Sequence, residues 1–285
     1  MQRISKISEL RAAMSVWREA GDSVALVPTM GNLHRGHMSL VDLAAAHAEH
    51  VVVSVFVNPT QFGPDEDYAD YPRTLDLDAR RLARAGVEIM FAPAVSDMYP
   101  HGMEHATRVS VPKLSDQLCG AARPGHFEGV TSVVCRLLNI CEPGIAVFGQ
   151  KDYQQFIILQ RMVEDLHIPA RLLAGPTRRD KNGLARSSRN GFLSKQDKGR
   201  AAVIYAALTA AADELSNGNL NFSVLEQTAL DEIAAAGLEP EYVSIRAAGD
   251  LGAPDTDTAR LVVLAAARLG KVRLIDNVLV KAGID

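Results

Sequence analysis

His34 and His37 stand three residues apart in the stretch PTMGNLHRGHMSL, residues 28–40. Gly31 and Gly36 in the same stretch have the spacing of a phosphate-binding loop. Such a loop needs a lysine for the terminal phosphates and a Ser or Thr for magnesium, and those places hold His37 and Met38. As a standard phosphate loop the stretch fails twice. A metal site is a second reading, because histidines at this spacing share one face of a helical turn. Zinc needs a third ligand, and neither His47, His50 nor any acidic residue stands at a recognisable ligand spacing. A third reading is a strand-to-helix turn with two incidental histidines. A fourth makes the histidines phosphate ligands. A helix N-terminus presents unpaired N–H groups and positive partial charge, and Gly36 has no side chain to keep a nucleotide off the backbone. His34 and His37 would then donate hydrogen bonds to a phosphate on which charge builds during attack. The stretch alone leaves these readings open.

The elements around it say what would position such groups. SVALVP (23–28) reads as a buried strand, HMSLVDLAAAHAEH (37–50) as a helix and VVVSVFVNP (51–59) as a second strand. The alternation continues with helix 74–86, strand 87–93, helix 127–140, strand 145–149, helix 151–166 and strand 170–177. Strands alternating with helices imply a parallel sheet covered on both faces. Ligands of such sheets bind outside the carboxyl ends of the strands. The polar motifs lie at those ends: PTMGNLHRGH after the first strand, NPTQFG (58–63) after the second, FGQKDYQQ (148–155) after a later one. Beyond residue 177 the polar, glycine-containing RRDKNGLARSSRNGFLS (178–194) reads as a hinge with a functional loop. Helices near 197–216 and 223–236 and strands at 241–247, 259–267 and 272–280 then make a small α+β domain. The expected fold is α/β, with domains at 1–177 and 178–285.

Composition narrows the partners. The 285 residues carry a net charge of −4 and a pI near 6.1, which does not favour nucleic acid. Cys119, Cys135 and Cys141 form no CxxC pair and read as reduced thiols. The N-terminal MQRISKISELRAA is polar and amphipathic, without the apolar core of a signal peptide. The most apolar long run, AAVIYAALTAAA at 201–212, is too short to span a bilayer.

The opening stretch resembles the HxGH signature of the nucleotidyltransferase superfamily, and PTMGxLHxGHxSL resembles one family within it, the pantoate–β-alanine ligases. FVNPTQFGPDEDYADYPRTLDLD (56–78), RPGHFEGVTSVV (123–134), FGQKDYQQ (148–155), GLARSSRN (183–190) and RLIDN (273–277) are similar to that family's segments, in order. The resemblance implies a Rossmann-like N-terminal domain, a smaller C-terminal lid and a homodimer in the cytoplasm. It implies joining of pantoate to β-alanine with ATP through a pantoyl adenylate, releasing AMP and pyrophosphate. Mg2+ would accompany ATP as substrate, with no tightly bound organic cofactor and no protein metal site. That chemistry needs positioning and charge stabilisation, not a covalent nucleophile, and the chain has no GxSxG elbow.

Residue by residue, the resemblance implies an ATP site of Met30, Gly31, Asn32, Leu33, His34, Arg35, Gly36, His37, Gly149, Gln150, Lys151, Asp152, Arg178, Arg186, Ser187, Ser188 and Arg189. Of these, His34, His37, Lys151 and Arg189 would be catalytic. Gln61 and Gln155 would clamp pantoate, since a primary amide both donates and accepts; Gln61 would also meet β-alanine. Lys151 would reach phosphate, and Asp152 would accept from a hydroxyl or help order magnesium, or cap its helix. Ser187, Ser188 and Arg189 suit the β- and γ-phosphates. Arg123 and His126 are candidates for the same pocket. Two departures stand out: Arg186 where the family has methionine, and Arg178 where PTVRE would place valine. Asn32 replaces a usual alanine. The rival readings are another HxGH nucleotidyltransferase and a nucleotide-sensing module without turnover.

Overall fold

The computed structural model describes residues 1–64 and 66–283. They divide into two compact units: Met1–Gln150 with Ile158–Pro176, and Lys151–Ile157 with the chain from Thr177 onward.

In the first unit the chain runs β1 (Gln2–Ile4), α1 (Ile7–Ala20), β2 (Val24–Thr29), α2 (Arg35–Ala45), β3 (His50–Val55), α3 (Leu75–Arg84) and β4 (Ile89–Phe91). It continues with the single turns α4 (Val95–Met98) and α5 (Cys119–Ala122), then α6 (His126–Cys141), β5 (Ile145–Gly149), α7 (Tyr153–Asp165) and β6 (Arg171–Gly175). The strands form one parallel sheet in the order β1-β4-β3-β2-β5-β6. Continuous apolar runs such as Ala25–Val27 and Val51–Val53 are buried, as strands covered on both faces require. The sequence reading did not anticipate β1. It is three residues long with only Ile4 buried, too short to show a period, and it exists by pairing with β4.

The order of strands positions the site. From β2 the chain builds outward through β3 and β4, then returns to the other side of β2 with β5 and β6. Such a reversal leaves a crevice at the strands' carboxyl ends. The ladders show where it opens. β2 stays paired with β3 from Val24 to Thr29, but with β5 only at Ala25 and Leu26, while β5 continues beside β6 to Gly149. Helix α2 lies over this end of the sheet: a Cβ on Gly175 would overlap the end of the Leu40 side chain, which would have to shift.

The second unit holds the start of α7 together with α8 (Lys195–Ala201), α9 (Val203–Ser216), α10 (Phe222–Ala235), β7 (Glu239–Ala247), β8 (Arg260–Leu269) and β9 (Val272–Lys281). The three strands form an antiparallel sheet in the order β7-β8-β9. Ile204, Leu208, Leu215 and Ile233 of the helices make one core with Ile245, Leu261 and Val263 of the sheet. The single alanine-rich helix expected over 197–216 is divided at Ala202 into α8 and α9. Two hydrogen bonds hold the beginning of α7 in this unit: Tyr153 Oη donates to the Ala248 carbonyl at 2.8 Å, and Asn277 Nδ2 to the Lys151 carbonyl at 2.9 Å.

Candidate active site

The turn between β2 and α2 is held by side chains that bond its backbone groups. Gly31 has φ +83° and Asn32 φ +49°, left-handed positions that glycine and asparagine adopt most readily. A Cβ on Gly31 would crowd Val55 Cγ1 at 3.0 Å and Asp78 Oδ2 at 3.3 Å. Asp78, from α3, is fully buried. Its carboxylate accepts from Asn32 N at 2.9 Å, Leu33 N at 2.8 Å and the Thr74 hydroxyl at 2.9 Å. Arg81, one turn further along α3, donates to the Leu33 carbonyl. The sequence reading missed Asp78. Its signal was an aspartate on the same face as Ala79 and Leu82, the residues of TLDLDARRL that are buried with it, and a buried carboxylate must be serving donors.

The histidines follow directly. His34 is the N-cap of α2 and His37 occupies its third position. His34 Nδ1 accepts from Gly36 N at 3.1 Å, and His34 N donates to His37 Nδ1 at 3.3 Å. This is the reciprocal arrangement of a capping box, with imidazoles in place of the usual Ser and Glu. The three-residue spacing is therefore a capping spacing. It also fixes the tautomer: a ring nitrogen that accepts an N–H carries no proton, so each ring bears its proton on Nε2. The rings stack with centroids 4.1 Å apart. Two Nε2–H donors thus arise side by side at the N-terminus of α2. His47 and His50 lie elsewhere; His50 opens β3 and stacks on Trp17 at 4.1 Å. Among the described residues no group of three His, Cys, Asp or Glu side chains could hold a metal ion.

A second polar cluster of the first unit surrounds Gln61. After β3, Asn58 caps the 3-10 turn Pro59–Gln61. Asn58 Nδ2 donates to Gln61 Oε1 at 3.1 Å, and Gln61 Nε2 lies 3.4 Å from Met30 Sδ. Met30 and Gln61, from two separate motifs, are thereby brought together. Arg123 and His126 brace the turn. Arg123 binds Glu66 through two bonds of 2.6 Å, meets His126 Nε2 at 2.9 Å and reaches the Gln61 carbonyl at 3.4 Å. His126 Nδ1 contacts that carbonyl at 2.8 Å. Burial acts to raise the Glu66 pKa, but the bond and charge of Arg123 outweigh it and hold the carboxyl below its usual range. Gly149 and Gln150 lie at the end of β5.

The second unit carries the other expected residues. Lys151 stands 3.6 Å from Asp152, and Gln155 is half-buried in the first turn of α7. Arg178 and Arg186 occupy facing arms of a hairpin, joined by Arg186 N to the Arg178 carbonyl at 2.9 Å. Its turn uses Gly183 at φ +92°. Arg186 pairs with Asp180 across it, so the two departures from the family pattern fall on one small structure, where an aspartate balances one of the added charges. Arg179 binds Asp276 at 2.5 and 2.9 Å and covers the Tyr205 ring at 3.6 Å. Asp276 and the Lys151-holding Asn277 are neighbours in the RLIDN motif. Ser187 caps the 3-10 turn Ser188–Phe192, accepting from Arg189 N at 3.3 Å.

A family model described as pantoate-beta-alanine ligase matches residues 2–279. The chain is 52% identical over 277 residues to a pantothenate synthetase of Thioalkalivibrio sulfidiphilus, covering 97% of each chain. It is 50% identical over 280 residues to one from Methylococcus capsulatus, covering 98% of each. A crystal structure of the Thermus thermophilus enzyme superposes with a TM-score of 0.91 at 43% identity, over 98% of this chain and 99% of that one. A pantoate-beta-alanine ligase from Francisella tularensis, complexed with beta-gamma ATP and beta-alanine, superposes with a TM-score of 0.81 at 34% identity, over 98% of this chain and 97% of that one.

Proposed function

The chain belongs to the pantoate-beta-alanine ligase family, and we propose from that premise how its own residues carry the reaction. The protein is an enzyme that condenses pantoate with β-alanine at the expense of ATP, giving pantothenate, AMP and pyrophosphate. A carboxylate is a poor electrophile, so it is first activated. The pantoate carboxylate attacks the α-phosphorus of ATP and pyrophosphate leaves; the β-alanine amine then attacks the acyl carbon and AMP leaves.

The observation that carries the residue assignment is the paired Nε2–H donors of His34 and His37 at the N-terminus of α2. In this reading they hold the triphosphate and stabilise the charge on the pentavalent phosphorus. Met30, Gly31, Asn32, Leu33, Arg35 and Gly36 shape the backbone against which the nucleotide lies, with Gly149 and Gln150 at the end of β5. A neutral ring with a protonated Nε2 acts by hydrogen bonding and needs no net charge. Lys151 adds a point charge to the phosphates, and Arg189, with Ser187 and Ser188, takes the β- and γ-phosphates. Arg178 and Arg186 flank that loop. Gln61 and Gln155 read the oxygens of pantoate, and Gln61 also serves β-alanine. Magnesium would accompany ATP and neutralise phosphate charge; Asp152, 3.6 Å from Lys151, would help order it or accept from a substrate hydroxyl. Closure of residues 178–285 over the nucleotide, a homodimeric assembly and a cytoplasmic setting complete the proposal. No described helix is long and apolar enough to cross a membrane.

The test is incubation with ATP, magnesium and pantoate, followed by mass spectrometry for the acyl adenylate. The expected result is pantoyl adenylate that disappears on adding β-alanine as pantothenate and AMP form. Pyrophosphate release that does not depend on pantoate would refute the assignment.

A further inference from the structure

The network behind Gln61 assigns a task to Tyr99, which no motif above includes, and it runs through Asn58. Asn58 is 1% exposed, and its two amide ends are sorted. Oδ1 accepts from Tyr99 Oη at 2.7 Å, Thr60 Oγ1 at 3.1 Å and Thr60 N at 3.4 Å. Nδ2 donates to Gln61 Oε1 and the Gly129 carbonyl, both at 3.1 Å. Reversing this amide would set its NH2 against the Thr60 N–H and its oxygen against the Gly129 carbonyl, two partners that cannot change roles as the hydroxyls can. Only one orientation satisfies the site.

That orientation is passed on. Because Asn58 donates to Gln61 Oε1, the oxygen of Gln61 is turned toward the protein. Its NH2 faces Met30 Sδ, a weak acceptor that an incoming oxygen readily replaces. We propose that Tyr99 is a positioning residue for the acid substrate: its hydroxyl fixes Asn58, and Asn58 turns Gln61 so that the face offered to a ligand is an N–H donor. A donor face suits carboxylate and hydroxyl oxygens and offers nothing to an ammonium group. The subsite therefore takes oxygens rather than an amine nitrogen, and what Gln61 meets of β-alanine is its carboxylate. This rests on the reading of Gln61 as a substrate-binding residue.

Tyr99 is itself held in place. The Arg136 guanidinium carbon lies 4.9 Å from its ring centroid, and Arg136 is anchored on the Ser132 and Thr107 carbonyls at 2.8 and 2.6 Å. Burial raises the Tyr99 pKa, so the hydroxyl keeps its proton as a donor. Helix α6 presses directly on the turn that carries Gln61. A Cβ on Gly129 would overlap the Thr60 carbonyl, which leaves the turn little room to relax.

The experiment is steady-state kinetics of the full chain and its Tyr99→Phe variant, with pantoate and ATP varied separately. The phenylalanine keeps the ring and its place under Arg136 and removes only the hydroxyl. The KM for pantoate is expected to rise about fivefold, the scale of one neutral hydrogen bond, with kcat and the KM for ATP changing by less than about twofold. In a Gln61→Ala background the same substitution should add nothing, because Tyr99 acts through Gln61. An unchanged pantoate KM, an equal rise in both KM values, or additive effects in the double variant would overturn the proposal. A parent enzyme that forms no AMP from pantoate and ATP would instead overturn the functional reading beneath it. Should Tyr99→Phe fail to fold, Thr60→Val, which removes the second hydroxyl from Asn58 Oδ1, is read by the same criteria.

Discussion

The histidine turn of the first unit and the arginine hairpin of the second are both polar loops assigned to phosphate, yet the side chains they offer are held differently. The histidine turn is fixed through its backbone. Asp78, with a side-chain exposure of 0%, accepts two of its N–H groups, and the two imidazoles cap the helix that follows. The hairpin's arms are joined by backbone bonds, Asp180 N to the Leu184 carbonyl and Arg186 N to the Arg178 carbonyl, both 2.9 Å, and the side chain it presents is held by an ion pair. Arg186 pairs with Asp180 at 31% and 36% exposure. Bonds to a buried carboxylate are little screened by salt, whereas a half-exposed ion pair is worth little and is screened. The difference suits the work proposed for each. Donors aimed at a reacting phosphorus must be in place beforehand, while a loop that closes over the outer phosphates must be able to open.

If that contrast is right, the most damaging change lies at the preorganised end. His37→Ala should leave the fold intact and slow adenylate formation about a hundredfold or more, the scale of losing one transition-state donor. Rapid-quench measurement of the adenylate checks it, and turnover near that of the parent would remove His37 from the chemistry. Asp78→Asn comes next. An amide cannot accept from both Asn32 N and Leu33 N and also the Thr74 hydroxyl without turning its NH2 toward a donor. A buried N–H left unsatisfied should cost about 1–3 kcal/mol, seen as a lower Tm. The displaced turn should lower kcat more than it raises the KM for ATP. A variant with reduced Tm and normal kcat would show that Asp78 stabilises the fold without setting the histidines.

These two positions also show what the sequence could and could not reveal. The strand–helix alternation was legible because runs such as Ala25–Val27 and Val51–Val53 carry the signature of fully buried strands. The histidines and Gln61 were legible because they sit in motifs that resemble a family's. Asp78 and Tyr99 were not, because their roles depend on side chains 45 and 41 residues away in sequence meeting in space. The same limit hid the capping box: the spacing of His34 and His37 is a local fact, but which nitrogen accepts is settled only once the helix start is placed. The sequence also marked Arg178 and Arg186 as departures without showing that they face each other across one hairpin.

A pair of intermediate exposure lies between the two extremes. Arg123 and Glu66 are 16% and 26% exposed and joined by two short bonds. The Glu66 pKa is lowered in the folded protein from an ordinary value of 4.5. A depressed carboxylate stabilises fully above its unfolded pKa, and that contribution is lost as the pH falls through the folded value. The parent should therefore lose more stability than Glu66→Gln on acidification below about pH 4.5, with the two curves parallel above it. Chemical denaturation at a series of pH values checks this, and parallel curves throughout would mean that the pair is already broken in solution.

The smallest effect is expected at the hairpin. Arg186→Met removes the ion pair with Asp180 and should change global stability by no more than about 1 kcal/mol. What it should change is the response to salt. The parent's KM for ATP should rise between low and physiological ionic strength, because both the Arg186–Asp180 pair and the attraction of nearby phosphates are screened. In Arg186→Met that rise should be smaller. Arg178 should still contribute to it, since it is exposed and remains in place. If the salt dependence of the variant matches the parent's, Arg186 contributes nothing to nucleotide capture. The contrast between a fixed pair of donors and a screened arginine would then fall.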